Sequence, residues 1–205
     1  MASSETDIGN LVLQRLGARA ITSFNDGSVG GDALLVAYPA RRDSLLEGHA
    51  WKFAEKFVQL AADATPPLFG YTNSFRRPAD WLRDLPPDHP NYSIPADYRM
   101  VGDFIFTDES APLDYVYVAR IENVAKFPPS FVEALVADLA HMLCEKISQS
   151  GTKKDRLKQD AEDALVEARR IDGVSKPSQE DPLDTWEAVR YGGGGGGGVG
   201  GPPWW

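Results

Sequence analysis

The strongest periodic signal in the sequence lies between Pro128-Pro129 and Gly151. From about residue 130 to 148, apolar residues recur at helical spacing. Leu135, Leu139, Met142 and Leu143 share a face with Phe131, and Val132, Val136 and Ile147 widen it. A stripe that broad has to be covered from more than one side, which predicts a helix at the centre of a packed group. The flanking prolines and glycine bound it.

The partners such a helix needs are legible on both sides. Residues 4–16 read as a first helix with Ile8, Leu11, Val12 and Leu16 as its stripe. Ser4 and Asp7 have capping-box spacing at its start, and Gly17 stops it. Residues 21–31 read as a loop, with turn chemistry in Asn25-Asp26-Gly27. A second helix is expected over about 32–47, with Leu34, Leu35, Tyr38, Leu45 and Leu46 apolar and Gly48 as its stop. Pro39 inside it is expected to kink or split it. A last helix is expected over about 152–171. Its stripe is narrow (Leu157, Ala161, Ala164, Leu165, Ala168), and its other faces are densely charged.

Between the two helix pairs the pattern changes to period two. Trp51, Phe53, Phe57 and Leu60 fit strands or an extended edge. Short strands are expected at 74–77, 80–85, 98–101, 104–107 and 115–121, with Gly102-Asp103 as a tight hairpin turn. The last of these alternates, with Tyr115, Tyr117 and Ala119 on one face and Val116, Val118 and Arg120 on the other. The expected fold is therefore α+β: a four-helix bundle of two N-terminal and two C-terminal helices, with a small, mostly antiparallel sheet inserted at about 51–121. Residues 1–173 form one domain on this reading. Residues 174–205 form an extended linker and a flexible glycine-rich tail running through Gly192–Gly198 to Trp204-Trp205.

Charge and chemistry narrow the function. With 21 Lys and Arg against 30 Asp and Glu, the net charge is -9. That argues against binding DNA by neutralising phosphates, but suits a surface past which DNA slides without sticking. The single cysteine, Cys144, allows no intramolecular disulfide and reads as a buried small hydrophobe. The sequence MASSETDIGN does not read as a signal peptide, and no apolar run is long enough to span a bilayer, so synthesis in a reducing cytoplasm and no membrane partner are expected. His49, His89 and His141 sit near no Gly-x-Ser-x-Gly turn, no HExxH is present, and the glycine run is followed by no Lys-Ser/Thr. His141, with Asp138 and Glu145 at helical spacing, reads as an exposed, salt-paired histidine. Carboxylate pairs such as Asp108-Glu109 and Glu133-Asp138 are expected by chance in so acidic a chain. No catalytic residue, cofactor or metal is expected.

What remains are contact features. Arg41-Arg42 and Arg76-Arg77 read as surface ion-pairing residues, with contact to an acidic partner as the sharper alternative. Arg156, Arg169 and Arg170 on the last helix, and Trp186, Trp204 and Trp205 in the tail, are the candidate partner-binding residues.

The stretch Tyr38-Pro39-Ala40-Arg41-Arg42-Asp43-Ser44-Leu45-Leu46-Glu47-Gly48-His49-Ala50-Trp51-Lys52-Phe53-Ala54 resembles a recurring segment of head-to-tail adaptor proteins of tailed phages. So do Pro78-Ala79-Asp80-Trp81-Leu82-Arg83 and residues 131–172. The resemblance is to the tail tubular protein A type of short-tailed phages, and more distantly to the tail accessory factor type. It covers residues 4–173 and departs in the proline-rich 86–95 insert and in the tail. It implies a dodecameric homo-oligomeric ring beneath the portal protein, with the tail nozzle protein below. It further implies a central channel through which DNA passes without specific binding, and a place in the virion at the head-tail junction. A tail-associated peptidoglycan hydrolase and a cytoplasmic assembly chaperone are the alternatives.

Overall fold

In the computed structural model, residues 4–148 and 151–174 are described. The expectation for residues 175–205, Trp186, Trp204 and Trp205 included, lies outside them. The architecture is α+β, with four helices and two small antiparallel sheets.

Local chemistry sets the helix starts. Helix α1, Glu5–Leu16, opens with the expected capping box: the Asp7 amide donates to Ser4 Oγ at 3.1 Å, and the Ser4 amide donates to Asp7 Oδ2 at 3.0 Å. Gly17, at φ 74°, supplies the left-handed residue that ends it. Ser4→Ala should cost about 1 kcal/mol of stability and Ser4→Gly only a few tenths. Urea midpoints check this, and equal losses for the two variants would rule out the cap as the cause.

Helix α2, Val29–Glu47, starts three residues before the sequence-based boundary, because Ser28 Oγ caps it by accepting from the Gly31 amide at 3.0 Å. The helix runs unbroken through Pro39, so the expected split does not occur. A proline there costs Leu35 its backbone partner without forcing the chain out of helix when packing holds both halves. Leu34, Tyr38, Leu45 and Leu46 are buried as expected, but Leu35 is exposed.

After α2, Trp51 and Phe53 do not enter a strand. Residues Lys52–Ala54 form one turn of 3-10 helix, and β1 begins only at Glu55. The aromatic spacing that suggested strand instead serves a cluster: Trp51 and Phe53 both meet the Phe131 ring edge-on, with centroids at 5.2 and 5.0 Å.

The strands are β1 Glu55–Leu60, β2 Asn73–Arg76, β3 Trp81–Asp84, β4 Tyr98–Val101, β5 Phe104–Thr107 and β6 Leu113–Ala119. They form two sheets, β1-β6-β3 and β2-β5-β4, rather than the single sheet expected. Pro78 follows β2 almost at once and has no N–H for a ladder, so β2 and β3 cannot continue as one strand. The chain turns there, with the Trp81 amide donating to Pro78 O, and β3 joins the other sheet. The β4–β5 hairpin turns at Gly102, φ 57°, as its sequence indicated.

Strand β6 alternates as expected, and both of its faces are buried. Val116 and Val118 join the larger core with α1, α2, α3 and α4. Leu113, Tyr115, Tyr117 and Ala119 join a smaller one with Leu60, Phe75, Ile94 and Ile105. The strand is thus a shared wall between two cores.

Helix α3, Pro129–Ser148, buries Phe131, Leu135, Val136, Leu139, Leu143 and Cys144. Met142 is in step with Leu135 but is 44% exposed; periodicity locates a stripe, not the length of its cover. Helix α4, Gly151–Val174, buries Leu157 and Ala168, with Ala161, Ala164 and Leu165 half-buried between them. It is tied to the rest at both ends. Lys153 Nζ donates to Leu16 O at 2.8 Å, and Lys52 Nζ donates to the carbonyls of Asp172 and Gly173 at the other end, where a cation complements the helix dipole.

Candidate functional site

Several of the polar groups that could do chemistry are bound up in structural networks, while Tyr38 Oη, Glu55 Oε1 and Arg77 Nε are buried without a hydrogen-bond partner. Strand β3 and the residue before it carry Asp80 and Asp84 toward the tyrosines of β6. Tyr117 donates to Asp80 at 2.7 Å, and Lys56 of β1 donates to the same carboxylate at 2.7 Å. Burial alone would raise the Asp80 carboxyl; the hydrogen bonds from Lys56 and Tyr117 outweigh it and hold it below the ordinary value. Tyr115 donates to Asp84, which also accepts from Trp81 Nε1 at 2.9 Å. Asp80 is held through both oxygens and Asp84 through Oδ1, and the network closes β1, β3 and β6 into one unit.

His89 lies in the proline-rich insert, 3.2 Å from Glu55 of β1. Its Nδ1 accepts from the Asn91 amide at 3.2 Å, which assigns the proton to Nε2, facing Glu55. Asn91 Nδ2 donates to the other Glu55 oxygen at 2.7 Å. Asn91 and His89 hold the insert against β1 through Glu55, whose Oε1 is buried 3.2 Å from His89 Nε2 without a hydrogen-bond partner.

The arginine pairs divide. Arg41 is half-buried and grips Asp138 with two hydrogen bonds, at 2.6 and 2.5 Å. Arg42, expected at the surface, is only 5% exposed. It donates to Asp43 at 2.9 Å, and Asp43 in turn accepts from Arg120 at 2.7 Å. A helix that packs on two sides leaves no outward direction for both of two adjacent arginines, so one is drawn in and needs a carboxylate. Arg77 stacks on Trp81 at 3.8 Å and donates to Gly102 O at 2.5 Å, while Arg76 is exposed. His141 is half-buried rather than exposed, and the acids expected to pair with it hold other cations: Asp138 holds Arg41, and Glu145 holds Lys154 at 2.5 Å. Of the other carboxylates singled out, Asp108 accepts from Thr72, and Glu133 pairs with Arg15. Cys144 is buried. Among the described residues no group of three His, Cys, Asp or Glu could hold a metal ion, and no helix is long and apolar enough to cross a membrane.

The three arginines predicted to bind a partner are separated by α4. Arg156 and Arg170 are exposed on its outward face, on which Val166 and Val174 also lie, 66% and 70% exposed. Their spacing places them together: 100° per residue puts 156, 163, 166, 170 and 174 on one side of the helix. Arg170 is held in position by two hydrogen bonds to Glu167, at 2.8 and 2.7 Å. Arg169 points about a quarter-turn away and reaches Gly48 O, so its work is to tie α4 to the end of α2. The exposed valines were missed because an apolar residue off the main stripe carries no periodic signal.

A comparison with family models found no match to this chain, and a comparison with curated proteins found none.

Proposed function

We propose that the chain is a ring-forming head-to-tail adaptor of a tailed phage, a structural virion protein that joins the portal to the tail nozzle and lines part of the channel for DNA ejection. On this reading the four helices are one bundle with the sheets inserted between its halves, copies assemble as a dodecamer, and the tail ending in Trp204-Trp205 anchors on a neighbouring subunit. The resemblance of residues 4–173, the net charge of -9 and the engagement of the polar groups in structural networks support it. The observation that carries it is the outward face of α4. Arginines beside exposed valines have the composition of a protein contact, where a solvated helix would carry charge alone.

The experiment is co-assembly with the portal protein, followed by negative-stain microscopy. Rings on the portal are the expected result. A chain that stays monomeric and never joins a portal would sink the reading. Val166→Asp combined with Arg170→Glu should weaken portal binding by at least tenfold without loss of thermal stability, because surface changes of this kind move stability by only about 0.5 kcal/mol. Binding equal to wild type would remove α4 as the contact.

A further inference from the structure

Helix α4 is buried at Leu157 and Ala168, and between them Ala161, Ala164 and Leu165 are only half-buried. The gap left there against α2 and α3 is a cleft of about 390 Å³, toward the low end of the roughly 300–1,000 Å³ of ligand sites. Its floor is Leu45, Ala134, Ala161 and Leu165, so small side chains make much of the room. On the α2 and α3 side, Arg41 and Asp138 are committed to each other and carry no net charge between them; Ser44 and His141 line the same wall. The α4 wall differs. At 100° per residue, Lys158, Glu162 and Arg169 fall within about 40° of one another, so the cleft faces a line of charge that runs plus, minus, plus. All three side chains are exposed. Lys158 stands 3.9 Å from Glu162, too far for a hydrogen bond. Arg169 gives Gly48 O one long bond of 3.4 Å and has further donors on its guanidinium.

We propose that this cleft binds an extended peptide segment of a partner protein, one with two carboxylates about five residues apart and a neutral or basic residue between them. Spacing sets the ligand. Three turns of helix separate Lys158 from Arg169, about 16 Å at 1.5 Å per residue. A small di-acid is too short to reach both cations, while an extended chain covers the distance in about five residues at 3.3 Å each. Glu162 lies one turn from Lys158, about 6 Å along. The ligand residue opposite it is therefore about two beyond the first carboxylate, and an acid there would be repelled.

The same pattern disfavours a nucleic acid, which carries a phosphate on every nucleotide and so sets one beside Glu162 in any register. A peptide with two acids and one base has almost no net charge to be repelled by a chain of net charge -9, and salt screens what remains beyond roughly 8–10 Å. The small floor residues let a backbone lie close to α3 and α4. This recognition needs neither a ring nor a portal, so it holds or fails apart from the adaptor reading.

The test titrates the full chain, labelled with nitrogen-15, with the acetylated and amidated peptide Glu-Gly-Lys-Gly-Ser-Glu at low ionic strength. Saturable amide shifts confined to the cleft, at Gly48, Ala134, Ala161 and their neighbours, are the expected result. Glu-Gly-Glu-Gly-Ser-Glu should bind about threefold more weakly although it is the more acidic, because its middle residue meets Glu162. Lys158→Gln and Arg169→Gln should each weaken the first peptide by about threefold, the scale of an exposed ion pair. Arg169 also ties α4 to α2, so Arg169→Lys is its companion; keeping the charge, it should bind nearly as well as wild type. Glu162→Gln should erase the preference between the two peptides with the thermal midpoint unchanged, which a purely structural role would not do. An absence of saturable shifts overturns the proposal, as does equal or tighter binding of the three-glutamate peptide, which would mean attraction by charge alone. Inorganic phosphate or a thymidine oligonucleotide giving the same shifts at equal or lower concentration overturns it too. So do cleft shifts that follow protein concentration with no peptide present, since the occupant would then be another copy of the chain.

Discussion

Trp51→Ala should lower the free energy of unfolding by about 4 kcal/mol, within the 3–5 kcal/mol typical of emptying a large aromatic site. Trp51 is 1% exposed and meets Phe131 edge-on at 5.2 Å and His49 at 4.7 Å. It also closes the end of a helix. The last turn of α2 leaves carbonyls without intrahelical partners, and Trp51 Nε1 donates to one of them, Leu45 O, at 2.8 Å. Alanine would therefore leave both a cavity and a buried carbonyl without its donor. Trp51→Phe separates the two effects: it restores most of the volume but not the N–H, and should cost about 1–3 kcal/mol. Urea denaturation followed by circular dichroism measures both. A loss below about 1 kcal/mol for the alanine variant would show that the aromatic cluster re-closes without its centre.

Trp51 also marks where sequence reasoning ran out. Its burial and its neighbours were readable as apolar, but not its backbone state. Trp51, Phe53 and Phe57 alternate as in a strand, but only Phe57 lies in one; the 3-10 turn at Lys52–Ala54 is dictated by what Trp51 and Phe53 pack against, Phe127 and Phe131, more than seventy residues away. Features set by nearest neighbours were legible: the Ser4–Asp7 box, the Gly17 stop, and the Gly102 turn of the β4–β5 hairpin. Those set by distant partners were not. The split into two sheets depends on which strand β6 chooses, and β6 pairs with β1 and β3 at long separation. The burial of Arg42 depends on Asp43 being shared with Arg120. On α4, the charged surface was legible as a class, but only the helix's orientation distinguishes Arg170, on the outward face with Val166, from Arg169, turned to Gly48.

Above pH 10 the protein should lose stability at up to about 4 kcal/mol per pH unit, because three tyrosine hydroxyls are closed off from water. Tyr38, Tyr115 and Tyr117 are 1%, 1% and 0% exposed. Burial pushes each hydroxyl well above the ordinary tyrosine range. The hydrogen bond to Asp84 adds to this for Tyr115 and that to Asp80 for Tyr117, and for Tyr38 the nearby Glu5 adds more than Arg42 takes away. In the unfolded chain the same groups ionise near pH 10. Above that pH the unfolded state holds fewer protons than the native one, so stability falls as pH rises; below it the contribution is fully present. Each hydroxyl that stays protonated accounts for about 1.4 kcal/mol per pH unit, and three together rival a large part of a domain's 5–15 kcal/mol. Urea midpoints at rising pH would trace the slope. Alongside them, tyrosinate absorbance should show Tyr38, Tyr115 and Tyr117 ionising only as the chain unfolds, with Tyr71, through its hydrogen bond to Asp97, and Tyr92, through burial, raised as well. Tyr117→Phe should remove about a third of the slope, because it takes away one of the three retained protons and leaves Asp80 its Lys56 partner. Tyr38, Tyr115 and Tyr117 titrating near pH 10, with the fold intact, would mean that the wall between the two cores opens to solvent on its own. The Asp80 and Asp84 networks would then not be what holds β6 in place.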